Sequence, residues 1–309
     1  MQPDILALGE PMVEFNQTGQ DGGRLYLQGF GGDTSNAAIA AARQGARVGY
    51  LSAVGDDAYG RMLRALWDRE GVDHAGVRTD PDAFTAVYFV THDARGHHFS
   101  FFRAGSAASR MRPQDLPAQR IAAARVLHLS GISAAISTSA CDTCFAAIDL
   151  ARAAGTQVSF DTNLRLKLWP LARARAVMRE LIAASDICLP SLEDVQAISG
   201  LQEPQALVDF CLRLGAKVVA LKLGARGALL ADGQQQWQVA AHPCRPVDAT
   251  GAGDTFGGAL LARLVAGDAL PEAARYAAVA AALSTEGFGA VEPIPRAAQV
   301  QEALRRAAA

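Results

Sequence analysis

The stretch of residues 248–259, DATGAGDTFGGA, combines residue types that can hold an anion and remove a proton. Gly251 and Gly253 carry no side chain that would keep an anion from the backbone, and the following residues favour a helix, so amide N–H groups converge at a helix start. Asp254 comes next, where the helix dipole is expected to keep it ionised. A carboxylate beside an anion hole suits a base. The alternative is a tight turn in which Asp254 only caps the helix.

Short apolar runs alternate with helical stretches in the second half of the chain and predict a mostly parallel sheet covered by helices on both faces. The predicted strands are 5–8, 126–129, 157–160, 187–189, 218–221 and 228–230, and the predicted helices include 172–184 and 203–214. In such a fold, ligands bind at the carboxyl ends of the strands.

Polar residues do follow three of these strands. Strand 157–160 is followed by Asp161, Asn163, Arg165 and Lys167. Strand 187–189 is followed by Ser191, Glu193 and Asp194, and strand 218–221 by Lys222, Gly224 and Gly227. Each also has a purely structural interpretation: Asn163 as a turn residue, Ser191 as a helix cap and Gly227 as a hairpin turn.

The N-terminal part contains a second glycine-rich turn, GFGGDTSN, in which Gly32 precedes Asp33 and Asn36 at a predicted helix start. Its spacing is not G-x-G-x-x-G, and the chain has no GxxxxGK[ST] motif, so both usual nucleotide fingerprints are missing. Asn36 could equally be a helix-cap residue. Residues 12–30 and 85–103 predict two exposed β-hairpins that pair with each other and form a lid, which would exclude water from a site beneath it.

Composition excludes several classes of protein. Of 309 residues, 50% are hydrophobic and 19% are charged, and a net charge of −2 predicts neither a nucleic acid partner nor an anionic membrane surface. The start of the chain lacks the basic and apolar pattern of a secretory signal, so we expect a cytoplasmic protein. The odd number of cysteines, five, favours reduced thiols, and the C-x-x-C at Cys141 and Cys144 is best explained by packing in a helix.

From about residue 5 to residue 295, these motifs resemble the PfkB family of ribokinase-like sugar kinases. The resemblance implies a single ribokinase-like α/β domain over residues 1–309 with a small β lid, ATP and Mg²⁺ as cofactors, and a place for a monovalent cation such as K⁺ near Asp248 and Thr250. It also implies roles for individual residues. These are Asp254 as catalytic base, the amides of Gly251, Ala252 and Gly253 on the phosphoryl group, Gly32, Asp33 and Asn36 on the sugar, Asn163, Ser191, Lys222, Gly224, Gly227 and Ala281 on the nucleotide, and Glu193 or Asp194 on Mg²⁺ through water.

Within the family, GEPMVEF, YFVTHDARGHHFSFFRAGSAAS, HLSGIS and DTNLRLKLW resemble the 2-keto-3-deoxygluconate kinases most. This implies a sugar acid as substrate, with Arg103 and Arg165 on its carboxylate and with Tyr88 and Phe101 beside it. If Arg103 is instead a solvated lid charge and Arg165 a phosphate or structural partner, fructokinase is the better interpretation. An inactive sugar-binding regulator and a dinucleotide oxidoreductase are the alternatives from other classes. The lid is also expected to join two subunits, because an open β edge is rarely left bare.

Overall fold

The computed structural model describes residues 2–93 and 96–308. The strands, numbered in chain order, are β1 (Ile5–Leu8), β2 (Met12–Gln17), β3 (Tyr26–Gly31), β4 (Val48–Gly55), β5 (Val72–Asp80), β6 (Val87–Asp93), β7 (Gly96–Phe102), β8 (Val126–Ser130), β9 (Gln157–Asp161), β10 (Ile187–Leu189), β11 (Val218–Lys222), β12 (Ala228–Ala231) and β13 (Gln236–Val239).

The helices are α1 (Asp33–Arg43), α2 (Ala58–Glu70), α3 (Ala118–Ala123), α4 (Gly131–Ala135), α5 (Thr138–Ala154), α6 (Leu171–Ala183), α7 (Leu192–Ser199), α8 (Pro204–Leu214), α9 (Ala252–Ala266), α10 (Leu270–Ser284) and α11 (Ala297–Ala308). Among the helices within the described ranges, none combines the length and the apolar composition needed to span a lipid bilayer.

The large sheet has the strand order β13-β12-β11-β10-β9-β8-β1-β4-β5. Neighbours are parallel from β5 to β11, and only β12 breaks this pattern by pairing antiparallel with β11 and β13. The predicted mostly parallel α/β sheet is therefore confirmed. Its central strands β1 and β4 are buried at every position, as expected for strands covered on both faces.

The large sheet separates two hydrophobic clusters. Along β1, Ile5 and Ala7 point into one cluster, which also contains residues of α1, α9 and α10, whereas Leu6 and Leu8 point into the other, which contains residues of α5, α6 and α8. The helices on both faces thus hold the strand ends of the sheet in place. The thiols of the C-x-x-C motif lie buried in α5, as the packing interpretation predicts.

The smaller sheet has the order β3-β2-β6-β7. β2 and β3 form one hairpin, β6 and β7 form the other, and β2 pairs with β6 in parallel, so the two predicted hairpins do pair with each other. Part of the predicted HDARGHH turn, residues 94 and 95, lies outside the described residues. β5 and β13 were not predicted, because each is a partly exposed strand that lacks the continuous apolar run of the central strands.

Helices α1 and α9 approach each other closely at Gly258. A Cβ atom at this position would overlap with the carbonyl oxygen of Ala37 and lie 2.8 Å from the Cβ of Ala40. A larger side chain would therefore push the two helices apart, and the residues at the start of each helix would separate as well.

We expect Gly258→Val to lower the free energy of unfolding by about 1 to 3 kcal/mol, the usual cost of overpacking a core. Urea unfolding followed by circular dichroism measures the change. Gly19→Val is the matched control, because a Cβ at Gly19 meets no atom within 4 Å. Equal unfolding midpoints for the two variants would contradict the tight helix contact.

Candidate functional site

The anion hole predicted in the GAGD stretch lies at the start of α9. Gly251 precedes the helix with a φ of 75°, a left-handed conformation that favours glycine. The amide of Ala252 donates to Ala249 O at 3.2 Å and the amide of Thr255 donates to Gly251 O at 2.8 Å. The amides of Gly253 and Asp254 lie between them, in the part of a helix whose N–H groups have no partner four residues earlier. They are the donors best placed for an anion.

Asp254 does not cap this helix. Gly251 is the capping residue, and Asp254 is the third residue of α9, where its carboxylate accepts a hydrogen bond of 2.8 Å from Nδ2 of Asn36. The capping interpretations of both residues are therefore wrong. Asn36 lies inside α1 and spans the contact between the two helices.

The pKa of Asp254 is raised to about 7, chiefly by burial and by the negative charge of Asp33, with a further contribution from Asp161. The hydrogen bond from Asn36 and the charge of Lys222 act in the opposite direction. The expectation that the helix dipole keeps the pKa low is thus wrong, because desolvation and neighbouring carboxylates outweigh it. A pKa near 7 matches the requirement for a general base at neutral pH.

Asp33 begins α1 beside Asp254. The preceding Gly32 has a φ of 104°, and a Cβ there would overlap with the carbonyl oxygen of Glu10, so this turn needs glycine. Asp33 Oδ2 accepts a hydrogen bond of 3.1 Å from Asn163, while Oδ1 is buried without a partner among the described residues. Burial raises the pKa of Asp33. The unsatisfied oxygen is positioned to accept a hydrogen bond from a substrate hydroxyl.

Asn163 donates its side-chain hydrogen bond to Asp33, so it lies beside the start of α1, and its contact with the nucleotide stays a prediction. Its backbone has a φ of 31°, which agrees with the turn interpretation. The neighbouring Arg165 is exposed and donates to Leu164 O at 2.9 Å. Burial raises the pKa of Asp33, and the positive charge of Arg165 offsets a part of this rise.

The smaller sheet contributes Tyr88, whose hydroxyl donates a short hydrogen bond to the buried carboxylate of Glu14. Burial and the charge of Glu14 raise the pKa of Tyr88. The Phe101 ring stacks on Tyr88 with a centroid distance of 5.5 Å and is 43% exposed. Tyr88 thus already has an acceptor for its proton, and a sugar could only use the lone pairs of its oxygen.

Arg103 follows the smaller sheet and forms a buried ion pair with Glu10. Ser106 Oγ donates to the same carboxylate at 2.6 Å, and the guanidinium lies 5.7 Å from the centroid of Phe101. The alternative of a solvated lid charge is wrong, because the side chain is only 9% exposed. No role was assigned to Glu10 from the sequence, although an acidic residue two positions after the first buried strand was a usable signal.

On the other side of the site, Ser191 caps α7, as its structural interpretation predicted. Asp194 accepts hydrogen bonds from Thr162 Oγ1 at 2.8 Å and from the amide of Leu164 at 3.1 Å, whereas Glu193 is exposed. Asp194 therefore holds the loop after β9. No cluster of three or more His, Cys, Asp or Glu side chains suited to direct metal binding occurs within residues 2–93 and 96–308. A metal held through water would find Glu193 the more accessible carboxylate.

The remaining predicted nucleotide residues surround the ends of β11 and α10. Lys222 is the last residue of β11, Gly224 begins a short turn with open space around it, and Ala281 is partly buried on α10. At Gly227 the φ is 87° and a Cβ would overlap with Val239 O, so this glycine is required by the β11–β12 hairpin.

The segment predicted to lie near a monovalent cation is tied to the loop after α10. Asp248 Oδ1 accepts hydrogen bonds from the amide and the hydroxyl of Thr250 at 2.9 and 2.6 Å, and Oδ2 accepts one from the amide of Gly289 at 2.9 Å. These bonds hold the two loops together directly before the anion hole.

Comparison with known proteins agrees with this geometry. The family model described as pfkB family carbohydrate kinase matches residues 4–297. The 2-dehydro-3-deoxygluconokinase of Thermoproteus tenax is 32% identical over 97% of this chain and 94% of its own length. Fructokinase-1 of Zea mays is 31% identical over 98% of both chains.

Two solved structures add information on ligands. A candidate ribokinase II from E. coli in complex with ATP and Mg²⁺ is 26% identical, has a TM-score of 0.90 and covers 98% of this chain and 99% of its own. A double mutant of the fructokinase from Vibrio cholerae O395, with fructose, ADP and potassium ion bound, is 29% identical with a TM-score of 0.89 over 98% of both chains.

The environment of Asp254 predicts the pH dependence of turnover. Because the base must be ionised, kcat/KM should fall with acidity through the pKa of Asp254, about 7. Asn36→Ala removes a hydrogen bond to the charged form of Asp254, worth about 1.5 to 3 kcal/mol. The apparent pKa at which kcat/KM falls should therefore rise by about one unit or more. Asp33→Asn removes a neighbouring negative charge and should lower this apparent pKa. Equal apparent pKa values in wild type and both variants would contradict Asp254 as the titrating base.

Proposed function

Because the chain belongs to the pfkB family of carbohydrate kinases, we propose that it transfers the γ-phosphoryl group of ATP to 2-keto-3-deoxygluconate and forms the 6-phosphate. The observation that carries the kinase chemistry is the pairing of Asp254, with a pKa of about 7, with the amides at the start of α9. ATP-bound and ADP-bound structures of related kinases support the choice of nucleotide.

In the proposed reaction, Asp254 accepts the proton of the substrate hydroxyl as its oxygen attacks the γ-phosphorus. The bond from that phosphorus to the oxygen shared with the β-phosphate breaks, and ADP leaves with the electron pair. The amides of Gly253 and Asp254 donate to the oxygens of the phosphoryl group, on which charge is spread in the transition state. Asp33 orients the sugar through its unsatisfied Oδ1. Asn36 keeps Asp254 in place.

Mg²⁺ fits the residues on the nucleotide side if it keeps its waters. Glu193 is exposed in the first turn of α7, where a carboxylate can accept hydrogen bonds from metal-bound water. Mg²⁺ supplies positive charge to the phosphates when it is bound. A K⁺ site near the Asp248 and Thr250 loop remains part of the proposal, supported by the potassium ion of the related fructokinase. ATP consumption also agrees with the expected cytoplasmic location.

A sugar acid is favoured by Arg165. Its guanidinium is exposed at the rim of the site and acts on Asp33, so it is available to a substrate carboxylate without breaking a buried ion pair. The relatives named 2-dehydro-3-deoxygluconokinase, at 32% and 29% identity, point to the same substrate.

Fructokinase is the second candidate, and the Glu10–Arg103 ion pair favours it. Glu10 already balances the charge of Arg103, so this arginine offers less attraction to a substrate carboxylate than an unpaired one would. A neutral hexose would leave that pair undisturbed. Relatives named fructokinase are 31% identical, as close as the sugar acid kinases.

The smaller sheet is proposed to act as the lid of this site and as a contact between two copies of the chain. Its register places Glu14, Tyr88 and Phe101 on one face, and Leu27 and Phe99 lie two residues along on the same face. Leu27 is 66% exposed and Phe99 is 41% exposed. A second copy would cover this apolar face and the edges of β3 and β7.

A coupled assay of ADP formation over 2-keto-3-deoxygluconate, gluconate, fructose and ribose tests the proposed substrate. We expect wild type to prefer 2-keto-3-deoxygluconate and Asp254→Asn to lose about 10²-fold or more in kcat. Arg165→Ala should lower kcat/KM for the sugar acid by about 10-fold or more, since a charged hydrogen bond is worth about 1.5 to 3 kcal/mol, with little change for fructose.

A wild type that prefers fructose would replace the sugar acid by the second candidate. Turnover of Asp254→Asn within about threefold of wild type would remove the base from the proposed mechanism.

Sedimentation velocity tests the proposed subunit contact. We expect wild type to sediment as a dimer and Leu27→Asp to sediment as a monomer, because a charge would be buried in an apolar interface. Phe288→Asp is the control, since Phe288 is 76% exposed and is not part of the smaller sheet. A monomeric wild type would rule the contact out.

A further inference from the structure

Asp161 and Lys222 form an ion pair at the carboxyl edge of the large sheet. Asp161 ends β9 and Lys222 ends β11, and the two strands flank β10. The Nζ atom of Lys222 lies 2.5 Å from Oδ2 of Asp161, and the side chains are 15% and 6% exposed. The pair thus spans three adjacent strands at the edge where parallel sheets bind ligands.

The ammonium group of Lys222 also faces the anion hole. A Cβ at Gly253 would lie 3.4 Å from Nζ, in ordinary van der Waals contact, so the absence of a side chain at Gly253 leaves the lysine next to the backbone of the helix start. A phosphate held by the amides of Gly253 and Asp254 would therefore lie against a positive charge as well as against N–H donors.

Stability of the fold does not account for the Asp161–Lys222 ion pair. Oδ1 of Asp161 is buried and has no hydrogen-bond partner among the described residues. A buried oxygen without a hydrogen-bond partner destabilises the folded protein. A buried ion pair is also seldom more stabilising than apolar side chains of similar volume. Function at the site accounts for its presence better than stability does.

We propose that Lys222 is a catalytic residue that neutralises charge on the transferring phosphoryl group, and that Asp161 is the positioning residue that holds its ammonium beside Gly253. This inference rests on the proposed kinase function and assigns Lys222 a role at the transferring phosphoryl group rather than in holding ADP. Asp161 acts through Lys222 and does not touch the substrate.

The effects of the pair on neighbouring groups agree with this placement. Asp161 raises and Lys222 lowers the pKa of Asp254, so each charge is felt at the base. Burial and the charge of Lys222 lower the pKa of His128, on β8, to about 3. The other groups acting on Asp254 are Asp33 and Asn36 from α1, and the charge of Asp161 also raises the pKa of Asp33.

The test separates the transition state from nucleotide binding. With the sugar that wild type phosphorylates best, Lys222→Met should lower kcat by about 10²-fold, the usual cost of one electrostatic group, while the Kd of ADP by calorimetry changes less than about threefold. ADP with aluminium fluoride, a mimic of the transferring phosphoryl group, should bind Lys222→Met much more weakly than wild type. Lys222→Arg, which keeps the charge, should recover part of the loss.

Asp161→Asn should lower kcat in wild type but have little further effect in Lys222→Met, because a positioning residue acts only through its partner. The apparent pKa of the acid limb in the pH profile of kcat/KM should be lower in Asp161→Asn and higher in Lys222→Met than in wild type. General destabilisation would not produce two opposite shifts. Lys217→Met is the matched control. Lys217 pairs with Asp186 at 2.6 Å at the amino ends of the strands, away from the carboxyl ends where Lys222 lies, and is 76% exposed. Its loss should therefore leave kcat unchanged.

The inference would be overturned, and the kinase function would stand, if Lys222→Met left kcat unchanged. The same holds if the variant bound ADP more weakly without a loss in kcat. The aluminium fluoride measurement needs no turnover. If none of the sugars were phosphorylated, the proposed substrate would fail, and equal binding of the mimic to wild type and Lys222→Met would still decide against the role of Lys222.

Discussion

The candidate site depends on the close contact between α1 and α9. Gly258 allows the two helices to touch, and the hydrogen bond between Asn36 and Asp254 then joins residues 218 positions apart in the chain. The same contact brings the buried Asp33 next to the partly buried Asp254. Their repulsion, together with burial, explains why the carboxylate of Asp254 holds a proton more strongly than an ordinary aspartate.

Two cations of the site are each paired with a carboxylate. Lys222 is held by Asp161, and Arg103 is held by Glu10. Such pairing keeps cations in a fixed geometry, which favours electrostatic stabilisation because no reorganisation is needed during the reaction. It also reduces the attraction of each cation for an anionic substrate. Arg165, by contrast, lies at the surface.

Substrate choice is therefore a property of a few contacts on a shared framework. One end of the site is built from loops after parallel strands and from the start of α9, whereas the other end also receives Glu14, Tyr88 and Phe101 from the smaller sheet. Relatives with different printed substrates have nearly the same identity to this chain. Overall similarity thus reflects the framework, and in the proposed function the sugar is selected by a few side chains such as Arg103 and Arg165.

Local patterns in the sequence determined the parallel sheet, the glycine-rich helix start and the placement of polar loops at one edge. They could do so because buried strands need continuous apolar runs and an anion hole needs glycines, and both are visible over a few residues. Only the tertiary structure decided that Asn163 contacts Asp33, that Glu10 neutralises Arg103, and that the pKa of Asp254 is raised rather than kept low. These features depend on burial and on distances between residues far apart in the chain, which no local pattern contains.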